Sequence, residues 1–184
     1  MLEEGNENKF RTLFPSFANP KTWRTNEQVK TLSRNEWQQL RLSILQRDGF
    51  TCQYCGYKSE KYQIVHHIDG NPENNADANL ITICQMCNLV EHSGQGCVVQ
   101  GIVDLYKESK YSQNDIIRIT RKMRDEGKSD VEIIEFLGLK KPMPFLMERE
   151  YLSKLYGFVT SRSSISGDGM YDKWKAYHSK SLSS

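Results

Sequence analysis

Apolar and polar positions change rhythm several times along the chain, and each change marks an element. Residues 1–30 keep no period; Phe10, Phe14, Phe17 and Trp23, set among Pro15 and Pro20, predict an extended arm whose rings pack on the main body. Ser33-Arg34-Asn35-Glu36 is a capping box, with Leu32 and Trp37 spaced for a hydrophobic staple. Trp37, Leu40, Ile44 and Leu45 then share one helical face, and Gly49 stops the helix. Tyr62-Gln63-Ile64-Val65 predicts a short strand running into His66-His67. A loop dense in turn formers follows from 69 to 75. Leu80-Ile81-Thr82-Ile83 predicts a second strand, and a helix is expected from about 85 to 92, ended by Ser93-Gly94-Gln95-Gly96.

Beyond that point the pattern predicts helices. Residues 98–107 are apolar and amphipathic. Ser112 and Asp115 cap a helix with Ile116, Ile119 and Met123 on one face and Gly127 as its stop. Ser129-Asp130-Val131-Glu132 is a second capping box, opening a short helix closed by Gly138. Pro142 and Pro144 break the chain before a helix expected near 146–156. From Arg162 onward the chain is rich in Ser and Gly and reads as a tail, with Tyr171, Trp174 and Tyr177 available to dock it.

The 184 residues allow one domain, or one small domain with an appendage. A hydrophobic share of 38% is lean but far from that of a disordered chain. With no apolar run of about 18 residues, a membrane-spanning helix is not expected. Glu3, Glu4 and Glu7 with no apolar core argue against a secretory signal, so a cytoplasmic protein is expected.

Net charge is only +2, and its distribution says more. Residues 1–47 balance to +3, residues 48–100 to −4 and residues 101–184 to +3. Three of the four histidines and all five cysteines lie in the acidic middle, so ligand-type residues coincide with the segment that suits cations. Cys52/Cys55 and Cys84/Cys87 are two C-x-x-C pairs, the spacing with which two thiolates grip one tetrahedral zinc ion. A disulfide reading needs an oxidising compartment, and a thioredoxin-type site needs only one such pair. Structural zinc is therefore the expected cofactor, and Cys97 is left without a role.

Taken with the residues around them, these pairs form a longer pattern. Val65-His66-His67-Ile68-Asp69-Gly70 is followed by Asp77-Ala78-Asn79-Leu80 and by Cys84 through His92, with Arg47-Asp48-Gly49 ahead of the first pair. Residues 36–95 thereby resemble the HNH nucleases, the ββα-metal or His-Me finger family, and are close to the zinc-bearing members of bacteria and phages. The resemblance implies an α+β fold: a ββα-metal core stapled by a four-cysteine zinc site, with an N-terminal arm and helix and a mainly α-helical C-terminal region. The divisions expected are an arm at 1–32, the nuclease core at 33–97, a helical region at 98–160 and a tail at 161–184.

The same resemblance implies a divalent-metal-dependent endonuclease acting on double-stranded DNA, in restriction, defence or mobility. It makes His67 the general base that activates water and Asn79 the residue that holds the loop around it. It makes His66, Asn88 and His92 the ligands of the catalytic ion, and an Asn ligand implies Mg²⁺ or Mn²⁺. The chemistry agrees, since phosphodiester hydrolysis needs an activated water and a clamp on the phosphate. Taken singly, His66 and His67 are also ordinary strand residues and Asn79 an ordinary turn residue. Asp69 reads as turn-forming.

An acidic centre requires cations from elsewhere to hold a phosphate backbone. The candidates are Arg41 and Arg47 on the first helix and Arg118, Arg121 and Lys122 on a later one, with Lys21, Arg24, Lys30, Arg124, Lys140 and Lys141 as further basic positions. Residues 112–139 weakly resemble a helix-turn-helix, but the second helix is acidic, and a packing or dimerisation module fits it better. Three readings stay open: a DNA endonuclease, a zinc-stabilised nucleic-acid-binding protein, and a nuclease subunit active only inside a larger complex. A homodimer, which would let two single-strand cutters make a double-strand break, or a larger protein complex is the expected protein partner, and no membrane partner is expected.

Overall fold

A computed structural model describes residues 9–18 and 32–163. Helix α1 (Arg34–Arg47) starts at Ser33, whose hydroxyl accepts from the Glu36 amide while the Glu36 carboxylate accepts from the Ser33 amide. Both halves of the expected capping box are thus present. Strands β1 (Gln63–His67) and β2 (Leu80–Cys84) pair antiparallel, with His66 opposite Ile81 and His67 opposite Leu80. A 3₁₀ turn (Asp77–Asn79) leads into β2, and helix α2 (Gln85–Glu91) leaves it directly. The order strand, loop, strand, helix is the one the sequence predicts.

A single-turn π-helix (Gly94–Val99) then closes tightly on itself, because Gly96 carries no side chain. A Cβ there would sit 2.5 Å from the Val103 side chain and 3.0 Å from the Leu89 carbonyl oxygen.

The α+β reading holds, with more strand in the C-terminal half than expected. Residues 98–107, expected to be amphipathic helix, instead supply part of the π turn and most of β3 (Val103–Glu108). Only Arg149–Leu152 (α5) of the helix expected at 146–156 is α-helical, and β5 (Tyr156–Val159) follows it. With β4 (Lys140–Met143) these form an antiparallel sheet in the order β4-β3-β5. The reason is local. Gly101 turns the chain with φ of 65°, after which Val103 and Leu105 are buried at period two. Pro142 is tolerated because β4 is an edge strand.

Helices α3 (Gln113–Asp125) and α4 (Asp130–Leu137) begin at Ser112 and Ser129, whose hydroxyls cap them as expected, and α4 ends at Gly138 in the left-handed region. They pack together through Ile116, Ile133 and Leu137. One buried cluster unites Leu13 of the arm, Cys52 and Ile83 of the knuckle and hairpin, and Val103, Ile117 and Val159 of the second sheet and α3. Gly157 lets α2 close on β5, since Val90 lies 3.2 Å from where a Cβ would stand. Thus the second sheet supports α2, the helix that faces His66.

Candidate metal and catalytic site

The four cysteines converge as their spacing predicts. All four sulfur atoms lie within 4.8 Å of one another and are buried, and Cys55 Sγ is 3.7 Å from Cys84 Sγ. Zinc–sulfur bonds of about 2.3 Å in a tetrahedron need sulfurs a little under 4 Å apart, so the cluster fits zinc. Hydrogen bonds among the thiols hold Cys52 far below the ordinary thiol value and raise Cys55. Four thiolates close the coordination sphere, so the chemistry this group supplies is structural. Cys97 stands apart, and burial pushes its thiol up to about 12.

Positive charge from α3 meets this cluster. Arg121 donates to Cys84 Sγ at 3.3 Å, and its guanidinium lies 3.7 Å from the centroid of the Tyr57 ring. Arg118 donates to the Cys55 carbonyl at 2.9 Å and pairs with Asp115. Arg47 bonds Asp48, Asp77 and the Leu80 carbonyl, while Asp48 accepts from the Thr82 amide. Arg41 donates to the Gln63 carbonyl at 2.7 Å. Four of the five named DNA-binding candidates thus brace the fold, and Lys122 makes none of these bonds. Lys21, Arg24 and Lys30 lie outside the described residues, as do Trp23 and the aromatic residues of the tail.

The hairpin end separates the two adjacent histidines, as strand geometry requires. His67 turns toward α1. Its ring stacks on Trp37 with centroids 5.8 Å apart, and its Nε2 is 3.0 Å from Asn75 Oδ1. Asn79 ties the loop below it: Oδ1 accepts from the Asp69 amide, and Nδ2 donates to Asp69 Oδ1 and to the Asn74 carbonyl. Asp69 gathers further bonds from Asn71 and Asn74, and the Asn74 amide is the chief reason its carboxyl is held below the usual range. Asp69 thus organises the turn and also lines the cavity beside His66.

His66 faces the other way, toward α2. It is 6% exposed, and its ring meets that of His92 edge-on with centroids 5.1 Å apart. His66 Nε2 lies 3.9 Å from Glu91 Oε1. Burial, reinforced by the charge of His92, pushes His66 down to about 3; burial alone pushes His92 down to about 4. Both imidazoles are thus neutral, the form that binds a metal. They line a cavity of about 40 Å³ with Glu91, Asp69, Ile68, Gly70, Arg149 and the arm residues Ser16, Phe17 and Ala18. Asn88 stands one turn before His92 on α2, half-buried.

The arm forms a roof here. The Ser16 amide donates to the Val90 carbonyl at 3.3 Å, and its carbonyl accepts from the Ser93 amide at 2.9 Å. Arg149 lies over the Phe17 ring. Glu91, Tyr54, Asn75 and Arg149 belong to the site and escape a reading by motif. Glu91 had a visible signal, since it precedes His92 in the same helix; Arg149 and the arm reach the site only through tertiary folding. Among the described residues, the cysteines are the only group of three or more His, Cys, Asp or Glu with all donor atoms within 4.8 Å of one another. The His66, Glu91 and His92 side chains approach one another without meeting that spacing. They are still a donor set suited to a divalent ion, with a small cavity between them.

Residues 52–94 match the HNH endonuclease family. The match therefore covers both cysteine pairs, the histidine pair, Asn79 and α2. Across 93 residues the chain is 34% identical to the Type 4 apparatus protein DotN of Legionella pneumophila, strain Philadelphia 1. That stretch is 49% of this chain and 42% of the relative, so the chain spans under half the length of the protein it resembles. No helix among the described residues is long and apolar enough to cross a membrane.

Proposed function

We propose that the chain is a divalent-metal-dependent HNH endonuclease that hydrolyses DNA phosphodiester bonds as one subunit of a larger assembly. The observation that carries this reading is the division of labour at the hairpin end. His66, His92 and the α2 residues beside them offer neutral or anionic donors to one ion on one face. His67 stands on the other face with its ring held by Trp37 and Asn75. His66 and His92, with Asn88 on the same helix, would hold the ion, and the ion would supply charge to a phosphate oxygen. His67 would take the proton from water, and Asn79 would hold the loop that carries Asp69. Mg²⁺ or Mn²⁺ remains the ion that an Asn88 ligand would favour.

The roof over the cavity favours the assembly. About 40 Å³ admits an ion with little else, and a phosphodiester needs more. The arm must lift before DNA reaches the ion, and an assembly supplies a reason for it to lift. The name of the Legionella relative, an apparatus protein, agrees with work inside a complex. It also favours a second reading, in which the zinc-stapled fold serves an assembly without hydrolysis. The internal bonds of Arg41, Arg47, Arg118 and Arg121 point the same way, because they engage these four guanidinium groups with the fold.

Supercoiled plasmid incubated with Mg²⁺, Mn²⁺ or EDTA separates these readings. The intact chain is expected to nick slowly with the ion and not at all with EDTA. Phe17→Ala, which loosens the roof, is expected to nick faster. Absence of cleavage from both proteins would support the structural reading instead.

A further inference from the structure

We propose that Glu91 is a ligand of the divalent ion at the hairpin end, so that the ion is held by His66, Glu91 and His92. The proposal rests on the reading of this face as a metal site, and it adds a carboxylate that the resemblance to HNH nucleases does not supply. Glu91 Oε1 lies 3.9 Å from His66 Nε2. That gap is too long for a hydrogen bond and wide enough for an ion to bridge with bonds of a little over 2 Å. The cavity between these side chains has room for an ion and a water molecule.

Glu91 is also held as a ligand is held. Burial raises its carboxyl, and the neighbouring Tyr54 phenol, buried in the same cluster as the cysteines, favours the ionised form. Metal-binding carboxylates are commonly oriented by such an outer polar group. Beside the pair of His66 and Glu91, His92 meets His66 edge-on, with ring centroids 5.1 Å apart. Two imidazoles and a carboxylate suit Mn²⁺, Co²⁺, Ni²⁺ or Zn²⁺ better than Mg²⁺, which prefers oxygen ligands alone. Arg149 lines the same cavity, and Arg11 also acts on Glu91. These cations balance the carboxylate when no ion is bound, so they compete with the ion for it.

The test is Mn²⁺ binding to the full chain with its cysteine site loaded with zinc, followed by the electron paramagnetic resonance of free Mn²⁺. The wild type is expected to take one Mn²⁺. Glu91→Gln is expected to weaken that binding by about tenfold or more. Arg149→Gln is expected to tighten it. Zinc content and circular dichroism establish that each variant is folded, and Glu91→Asp, which keeps the charge, is expected to restore part of the affinity. A folded Glu91→Gln that binds Mn²⁺ as the wild type does would overturn the assignment and leave Glu91 as the counter-charge of Arg149. A wild type that binds no Mn²⁺ would overturn both the assignment and the metal-dependent nuclease. Binding of Mn²⁺ that depends on Glu91, without cleavage of DNA by any variant, would keep the assignment and remove the nuclease.

Discussion

His66 and His67 are neighbours in sequence and belong to different environments. His66 is walled in by α2 and the arm, whereas His67 is half-exposed between Trp37 and Asn75. Burial that keeps His66 and His92 neutral links them to stability. Their folded values of about 3 and about 4 lie below the ordinary 6.5. The unfolded chain therefore binds more protons than the folded one between those limits, and stability falls as pH drops below about 6.5. In the absence of added divalent ion, the melting temperature is expected to fall across that window. His66→Asn should flatten the slope, and an unchanged slope would refute the link. Asn79 acts through the loop instead. Asn79→Ala removes three side-chain hydrogen bonds and is expected to cost about 1–3 kcal/mol in denaturant melts.

At the scale of elements, strand, loop, strand and helix were legible because their signals are local: capping boxes at Ser33 and Ser129, alternation in β1 and β2, and paired cysteines. The second sheet was not. Residues 98–107 are apolar enough to satisfy a helical pattern, and only the turn at Gly101 and the pairing with β4 and β5 select a strand. The internal contacts of the arginines were hidden for a related reason. Arg47, Arg118 and Arg121 sit on faces that look solvated in a helical projection, but the hairpin and the knuckle fold against those faces. The cysteine cluster was legible because four cysteines at this spacing have few other uses, while Glu91 had no motif to mark it.

Two predictions belong to this scale. Cys84→Ala is expected to lose zinc and cooperative unfolding together, since the knuckle joins α1 to the hairpin; retention of both would show that the cluster is dispensable. Gly96→Ala is expected to destabilise by about 1–3 kcal/mol, because Val103 and the Leu89 carbonyl leave no room for a methyl group. A denaturation midpoint equal to that of the wild type would contradict the packing described.

Over the whole molecule, one core ties the arm, the zinc knuckle, the hairpin and the second sheet together. Leu13 is its outermost anchor, 1% exposed, with its amide donating to Asn114 and Asn114 reaching back to Arg11 and Tyr54. The roof over the histidine cavity is therefore a product of global packing. Leu13→Ala is expected to cost about 2–5 kcal/mol and to expose the cavity, read as faster modification of His66 and His92 by diethyl pyrocarbonate. Equal modification rates would show that the arm does not close the site.

The central claim is that the hairpin end hydrolyses phosphodiester bonds, with His67 as the base. Its most direct test is the nicking rate of supercoiled plasmid with Mn²⁺, comparing Phe17→Ala with the double variant Phe17→Ala/His67→Ala at equal zinc content. The account predicts divalent-dependent nicking in the first and a loss of about 10²- to 10⁴-fold in the second. Equal rates in the two proteins would contradict it.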